Sequence, residues 1–109
     1  MALYLYRFGY TPEAWAALME NPQDRRDMLA SRIFGTFKGQ LHGFWYAFGE
    51  HDGYALAELP DQVSAAAASV AVAATGSFRH LETTVLITTE EMVEAMDRAG
   101  EFAYAKPGS

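Results

Sequence analysis

The sequence predicts an α+β domain: a four-stranded antiparallel sheet, two helices on one of its faces and an extra helix at the C-terminus. Three observations carry this. Segments with two-residue apolar alternation and segments with helical spacing follow in the order strand, helix, strand, strand, helix, strand, helix. The breaks between them fall at Gly9, Asn21-Pro22, Gly49 to Asp52, Pro60-Asp61 and Gly76, all residues that turn or cap a chain. Several strands are apolar on both pleats, so the sheet has two faces to cover.

At 109 residues the chain suits one domain, burying about two-thirds of its unfolded surface. Residues 1–99 are expected to form it, with 100–109 as a tail that lacks periodicity. Cysteine is absent, which excludes thiol catalysis, thiolate metal ligands and a disulfide scaffold together. Fourteen acidic residues against eight basic ones give a formal charge of −6, which opposes phosphate backbones, so no nucleic-acid partner is expected. The opening MALYLYRFGY lacks the pattern of a secretion signal. The alanine-rich stretch 63–76 is shorter than the ~20 apolar residues of a membrane span. The expectation is a cytoplasmic protein with no membrane partner.

Residues 2–8 place Leu3 and Leu5 on one pleat and Tyr4, Tyr6 and Phe8 on the other, as in a central strand. Thr11 and Pro12 are an N-cap and first helical residue, followed at helical spacing by Trp15, Leu18 and Met19. Asn21 and Pro22 interrupt and restart this helix, whose second piece aligns Met28 or Leu29, Ile33 and Phe37 and ends near Gly35. Residues 40–48 and 53–59 read as a hairpin closed by Gly49, Glu50, His51 and Asp52. Pairing Gly49 with Asp52 sets Tyr46 opposite Ala55 and Phe44 opposite Ala57, with Trp45 facing Leu56 and Gly43 facing Glu58 on the other pleat. A one-residue slip inverts those faces. Pro60 and Asp61 open a helix expected to turn Val63, Ala66, Val70 and Ala73 to the sheet and to end at Gly76. Residues 79–88 alternate, with Leu81, Val85 and Ile87 on one side and His80, Glu82 and Thr84 on the other. Thr89, Glu90 and Glu91 begin a last helix carrying Met92, Val93 and Met96.

This order is the split βαβ, or ferredoxin-like, βαββαβ arrangement with an added C-terminal helix. Its helices cover one face of the sheet. Tyr4, Tyr6, Trp45, Tyr54 and Leu56 nevertheless place apolar groups on both, and sheet-to-sheet homodimerisation is the simplest way to bury them.

The segment LHGFWYAFGEHDGYALAELPD, followed by VSAAAASVAVAATGSFRHLETTVLITTEE, resembles the GYD-domain family of the dimeric α/β-barrel superfamily. Thr11-Pro12, Asn21-Pro22, Gly49-Glu50, Asp52, Pro60-Asp61, Gly76 and the pair Thr83-Thr84 extend the likeness over nearly the whole chain. One position departs from the pattern: His51 stands where the family usually carries a tyrosine. The resemblance implies a ferredoxin-like protomer and a homodimer whose two sheets form a barrel. It implies no single activity, because related families on this scaffold include cofactor-independent monooxygenases, isomerases, haem-using enzymes and ligand sensors.

The candidate catalytic group is His80 with Glu82 and Glu58. His80 and Glu82 share a pleat, and a polar group of this kind inside an apolar cleft can abstract a proton or orient a ligand. The competing reading is a solvated strand face or a set of cross-dimer ion pairs. His42, Trp45, Tyr46 and Tyr54 are the candidate ligand-binding residues, able to line a pocket for a planar molecule; against that stands plain core and interface packing. His51, in a turn, is expected to be solvated. No spacing among the three histidines fits a metal site, no glycine-rich loop cradles a phosphate, and no cofactor is expected. The leading expectation is a homodimeric barrel binding a small apolar or aromatic ligand in the sheet cleft. The alternatives are a cofactor-independent isomerase or monooxygenase-like enzyme using His80 with Glu82 or Glu58, and a structural assembly subunit.

Overall fold

The alternation of residues 2–10 builds the central strand of the sheet. In a computed structural model, which describes residues 1–102 and 107–108, strand β1 (Ala2–Tyr10) is flanked on both sides by antiparallel partners. The strands β2 (Gln40–Tyr46), β3 (Gly53–Leu59) and β4 (Phe78–Leu86) complete one sheet in the order β2-β3-β1-β4. Helices α1 (Pro12–Glu20), α2 (Arg26–Met28) and α3 (Gln62–Ala73) connect them in the ferredoxin-like sequence, and α4 (Thr89–Ala99) follows β4. The tail expected at 100–109 lies in part outside the described residues. Among the described residues no helix is long and apolar enough to cross a membrane.

The two pleats of the sheet divide sharply. Tyr4, Tyr6, Phe8 and Tyr10 are buried on the helix side, together with Ala55, Ala57 and Leu59 of β3. Large rings on β1 meet alanines on β3, Tyr4 opposite Ala57 and Tyr6 opposite Ala55, so the pair packs without crowding. Gly53 belongs to the same logic: a Cβ there would sit 2.2 Å from the ring of Phe8, so the glycine is the space the phenyl occupies. The other pleat carries Leu3, Leu5, Arg7, Tyr54, Leu56 and Glu58 and is left open by the helices.

Helix starts follow the caps in the sequence. Thr11 accepts from the Ala14 N–H at 3.2 Å, Asp61 accepts from Ser64 at 2.7 Å, and Thr88 forms a reciprocal capping box with Glu91. The second helical piece takes a form that periodicity does not signal. α2 runs directly into a π-helical segment, Leu29–Phe34, in which Phe34 is buried and Leu29 and Ile33 pack against the core. Such wide turns occur disproportionately at functional sites.

Two sequence expectations change. The hairpin register is displaced by two residues, with Tyr46 opposite Gly53, Phe44 opposite Ala55, Trp45 opposite Tyr54 and Gly43 opposite Leu56. The loop is longer than a tight turn, spanning 47–52, because the Ala47 N–H donates to the Asp52 carbonyl and the Asp52 N–H donates to the Phe8 carbonyl, both at 2.8 Å. The even slip leaves Phe44, Trp45 and Tyr46 on the faces expected of them, whereas the register shift between Leu41 and Gly43 turns Leu41 into the core and His42 to the open face beside Glu58. Helix α3 turns Ala65 and Ala68 to the sheet, while Val63 and Val70 stay 78% and 67% exposed. Its uniformly apolar composition defines no stripe, and the close seat over the sheet selects the smallest side chains; the Tyr6 hydroxyl donates to the Ala65 carbonyl at 3.2 Å.

Candidate functional site

Two regions, one on each face of the sheet, bring reactive or binding groups together. The first is a cavity of about 250 Å³ between the sheet and the helices. Phe8, Phe44 and Phe78 form its floor, Phe34 and Ile33 of the π-helical segment one wall, and Ala68 of α3 another. Phe8 stacks on Phe44 and meets Phe78 edge-on, with centroids 5.6 and 5.5 Å apart, so the floor is a rigid aromatic surface. Polar groups are few: Arg25, Ser69, Thr75 and Ser77 border it. An apolar cavity of about 150 Å³ already accepts benzene, so this one has room for a substituted ring.

Two tyrosines at the cavity keep their protons. Burial, reinforced by the neighbouring Tyr4 and opposed by a hydrogen bond with Ser69, pushes the Tyr6 phenol up to about 12. Tyr10 is raised too, first by burial and then by Tyr46, with the Arg25 guanidinium working in the opposite sense. Arg25 therefore lies near Tyr10, and among the described residues it is the one cationic group bordering an otherwise apolar space.

The second region lies on the open face, where the hairpin loop meets the ends of β1 and β4. His51 Nδ1 and His80 Nε2 are 2.9 Å apart, and the rings meet edge-on. His51 Nε2 lies 3.6 Å from Glu82 Oε2, whose carboxylate also pairs with Arg7 at 3.5 Å. Arg79 places one nitrogen 3.1 Å from His80 Nδ1, donates to the Glu50 carbonyl at 3.1 Å and pairs with Asp52 at 3.5 Å. A register shift between Gly9 and Tyr10, opposite residues 78–80, is what directs Arg79 and His80 to the same side. Asp52 ties this region to the loop. It accepts from the Tyr10 N–H at 2.8 Å and the Trp15 indole at 3.4 Å. Desolvation acts to raise its carboxyl, and the Tyr10 N–H, Arg79 and Trp15 outweigh it, so the pKa falls below the usual carboxylate value.

The GYD-domain family matches residues 4–96 of this sequence, nearly the whole described body. The chain belongs to the GYD-domain family. No curated protein matches it. Among solved structures, the GYD chain is similar to an uncharacterized NIPSNAP domain protein from Burkholderia xenovorans, with 15% identity and a TM-score of 0.46 over 82% of this chain and 95% of that one.

Within the GYD domain, the structure brings His80 and Glu82 into one cluster but not Glu58. Glu58 sits toward the opposite end of β3, where it pairs with His42 at 3.0 Å across a second register shift, between Leu41 and Gly43. Trp45 lies over Gly43 on the open face, 55% exposed, its indole occupying the space a Cβ on Gly43 would take. Tyr54 meets the His51 ring edge-on at 5.8 Å. Tyr46 approaches Tyr10 and Trp15 beside the cavity. None of His42, Trp45, Tyr46 and Tyr54 lines the cavity itself. His51 is not the solvated turn residue that its position predicts: its side chain is 12% exposed, held between His80, Glu82 and Tyr54. Arg7, Arg79 and Asp52 complete the cluster; the sequence marks Asp52 as a turn residue only and the two arginines not at all, because their approach depends on where the long loop folds. The run Tyr4, Tyr6, Phe8, Tyr10 on one pleat is a legible signal for the aromatic floor.

Proposed function

We propose that this GYD-domain protein is a homodimer that binds a small, planar, apolar molecule in the cavity between its sheet and helices. The cavity carries the reading: an aromatic floor, a π-helical wall and one arginine among few polar groups are what a pocket for a flat ligand with a single anionic substituent requires. Arg25 then faces the anion and Phe8, Phe44 and Phe78 the ring. Dimerisation is supported by the open pleat, where among the described residues Leu3, Leu5 and Leu56 are only half-buried and Trp45 is exposed, and a second copy of the same face is the partner that closes a barrel. The lack of cysteine suits a reducing compartment such as the cytoplasm.

Calorimetric titration with 2-naphthoate tests the ligand reading. The wild type is expected to bind in the micromolar range, and Ala68→Leu, which intrudes on the cavity from α3, to weaken binding at least tenfold. Equal binding by both proteins would place the ligand elsewhere and end the proposal.

A further inference from the structure

Hydrogen-bond chemistry orders the open-face cluster into a chain with one direction. Arginine has donors and no acceptor, so the Arg79 nitrogen at 3.1 Å makes His80 Nδ1 an acceptor. A neutral His80 then carries its proton on Nε2 and donates it to His51 Nδ1, 2.9 Å away. His51 in turn carries its proton on Nε2, the nitrogen that points at Glu82. Every proton in the series points toward one carboxylate, and Arg7 stands behind that carboxylate. The register shift that turns Arg79 and His80 to the same side is the kind of irregularity that re-aims side chains beside active sites.

We infer that this end of the sheet is a proton-abstracting site, in which His80 Nδ1 is the base for a small carbon acid bearing a carboxylate, and His51 and Glu82 receive the proton by relay. The substrate anion displaces Arg79 from His80 and pairs with its guanidinium, which frees Nδ1. A C–H bond next to the substrate carbonyl breaks, its electron pair stays on the substrate as an enolate beside Arg79, and the proton goes to His80 Nδ1. His80 passes its Nε2 proton to His51 Nδ1, and His51 passes its Nε2 proton to Glu82, which ends as the neutral acid. Both rings finish neutral with their protons on Nδ1, and reversal returns a proton to the substrate. Transient charge on His51 draws the half-exposed Glu82 carboxylate in from 3.6 Å to hydrogen-bond distance. His80 is the catalytic residue here, and His51 and Glu82 are positioning and relay residues. The site stands on the opposite face of the sheet from the cavity, so it and the ligand reading of that cavity can each fail without the other.

Pyruvate in D₂O is the probe, with loss of its methyl proton signal followed by NMR at neutral pH. The wild type is expected to accelerate exchange in proportion to protein concentration. His80→Gln should lower that rate about 100-fold, the scale of a general base, and Glu82→Gln should lower it at least tenfold. In the unmodified protein, ¹⁵N shifts should report both His51 and His80 protonated on Nε2, a readout that does not depend on variant folding. Exchange no faster than buffer, an unaffected His80→Gln variant, or a resting Nδ1–H on either ring each overturns the assignment.

Discussion

Asp52 is the residue on which the loop depends. Its carboxylate collects the Tyr10 N–H, the Trp15 indole and Arg79, joining β1, α1 and β4 through one side chain. Hydrogen bonds to a charged group are worth about 1.5–3 kcal/mol each in their effect on stability. Asp52→Ala is therefore expected to cost about 2–3 kcal/mol at pH 7, measured by urea unfolding. The pH dependence follows from the sign of the shift. The folded-state pKa lies below the unfolded value of about 4, so this stabilisation is complete above that value and is lost as pH falls through the lower, folded one. Asp52→Ala should then lose its disadvantage relative to wild type as pH falls through the lowered, folded-state value. At this scale little was legible beforehand. Asp52 reads as a turn residue and His51 as a solvated one, because sequence position gives the loop but not the strands it folds against.

Among the elements, glycines separate rigid from adjustable packing. A methyl group at Gly53 would meet the ring of Phe8, which is buried and stacked on Phe44, so it has nowhere to go. A methyl group at Gly43 would meet the Trp45 indole, which is more than half exposed and can swing away. Gly53→Ala is expected to cost about 1–3 kcal/mol, the range for overpacking, and Gly43→Ala well under 1 kcal/mol with altered tryptophan emission. Denaturant unfolding with fluorescence detection reads both; equal costs would contradict the packing described. Element types and order were legible because caps and alternation are local signals: Thr11, Asp61 and the Thr88–Glu91 box each start the helix expected of it to within a residue or so. The register, the face of α3 and the π-helical turn were not. Each is decided by the partner an element packs against, as when Ala65 and Ala68 displace the valines from the sheet side of α3.

The whole molecule measures 61 × 33 × 22 Å with a radius of gyration of 17.8 Å, against about 13 Å for a compact chain of this size. Helix α4 accounts for part of the excess, since every one of its residues is exposed, including Met92, Val93 and Met96. Helices of 11 residues are marginal in isolation, and under the proposed dimer a second copy would cover α4 as well as the open pleat. Light scattering on the 12.0 kDa chain should give twice the monomer mass at micromolar concentration, and a monomer would rule out the dimer. A two-faced sheet was readable in the alternation of apolar residues. The cavity was not, because it is left between elements whose separation no single segment encodes. A crystal soaked with 2-naphthoate tests the central claim most directly. The claim predicts the ring between Phe8 and Ala68 with its carboxylate at Arg25; an empty cavity with the ring on Trp45 of the open face would contradict it.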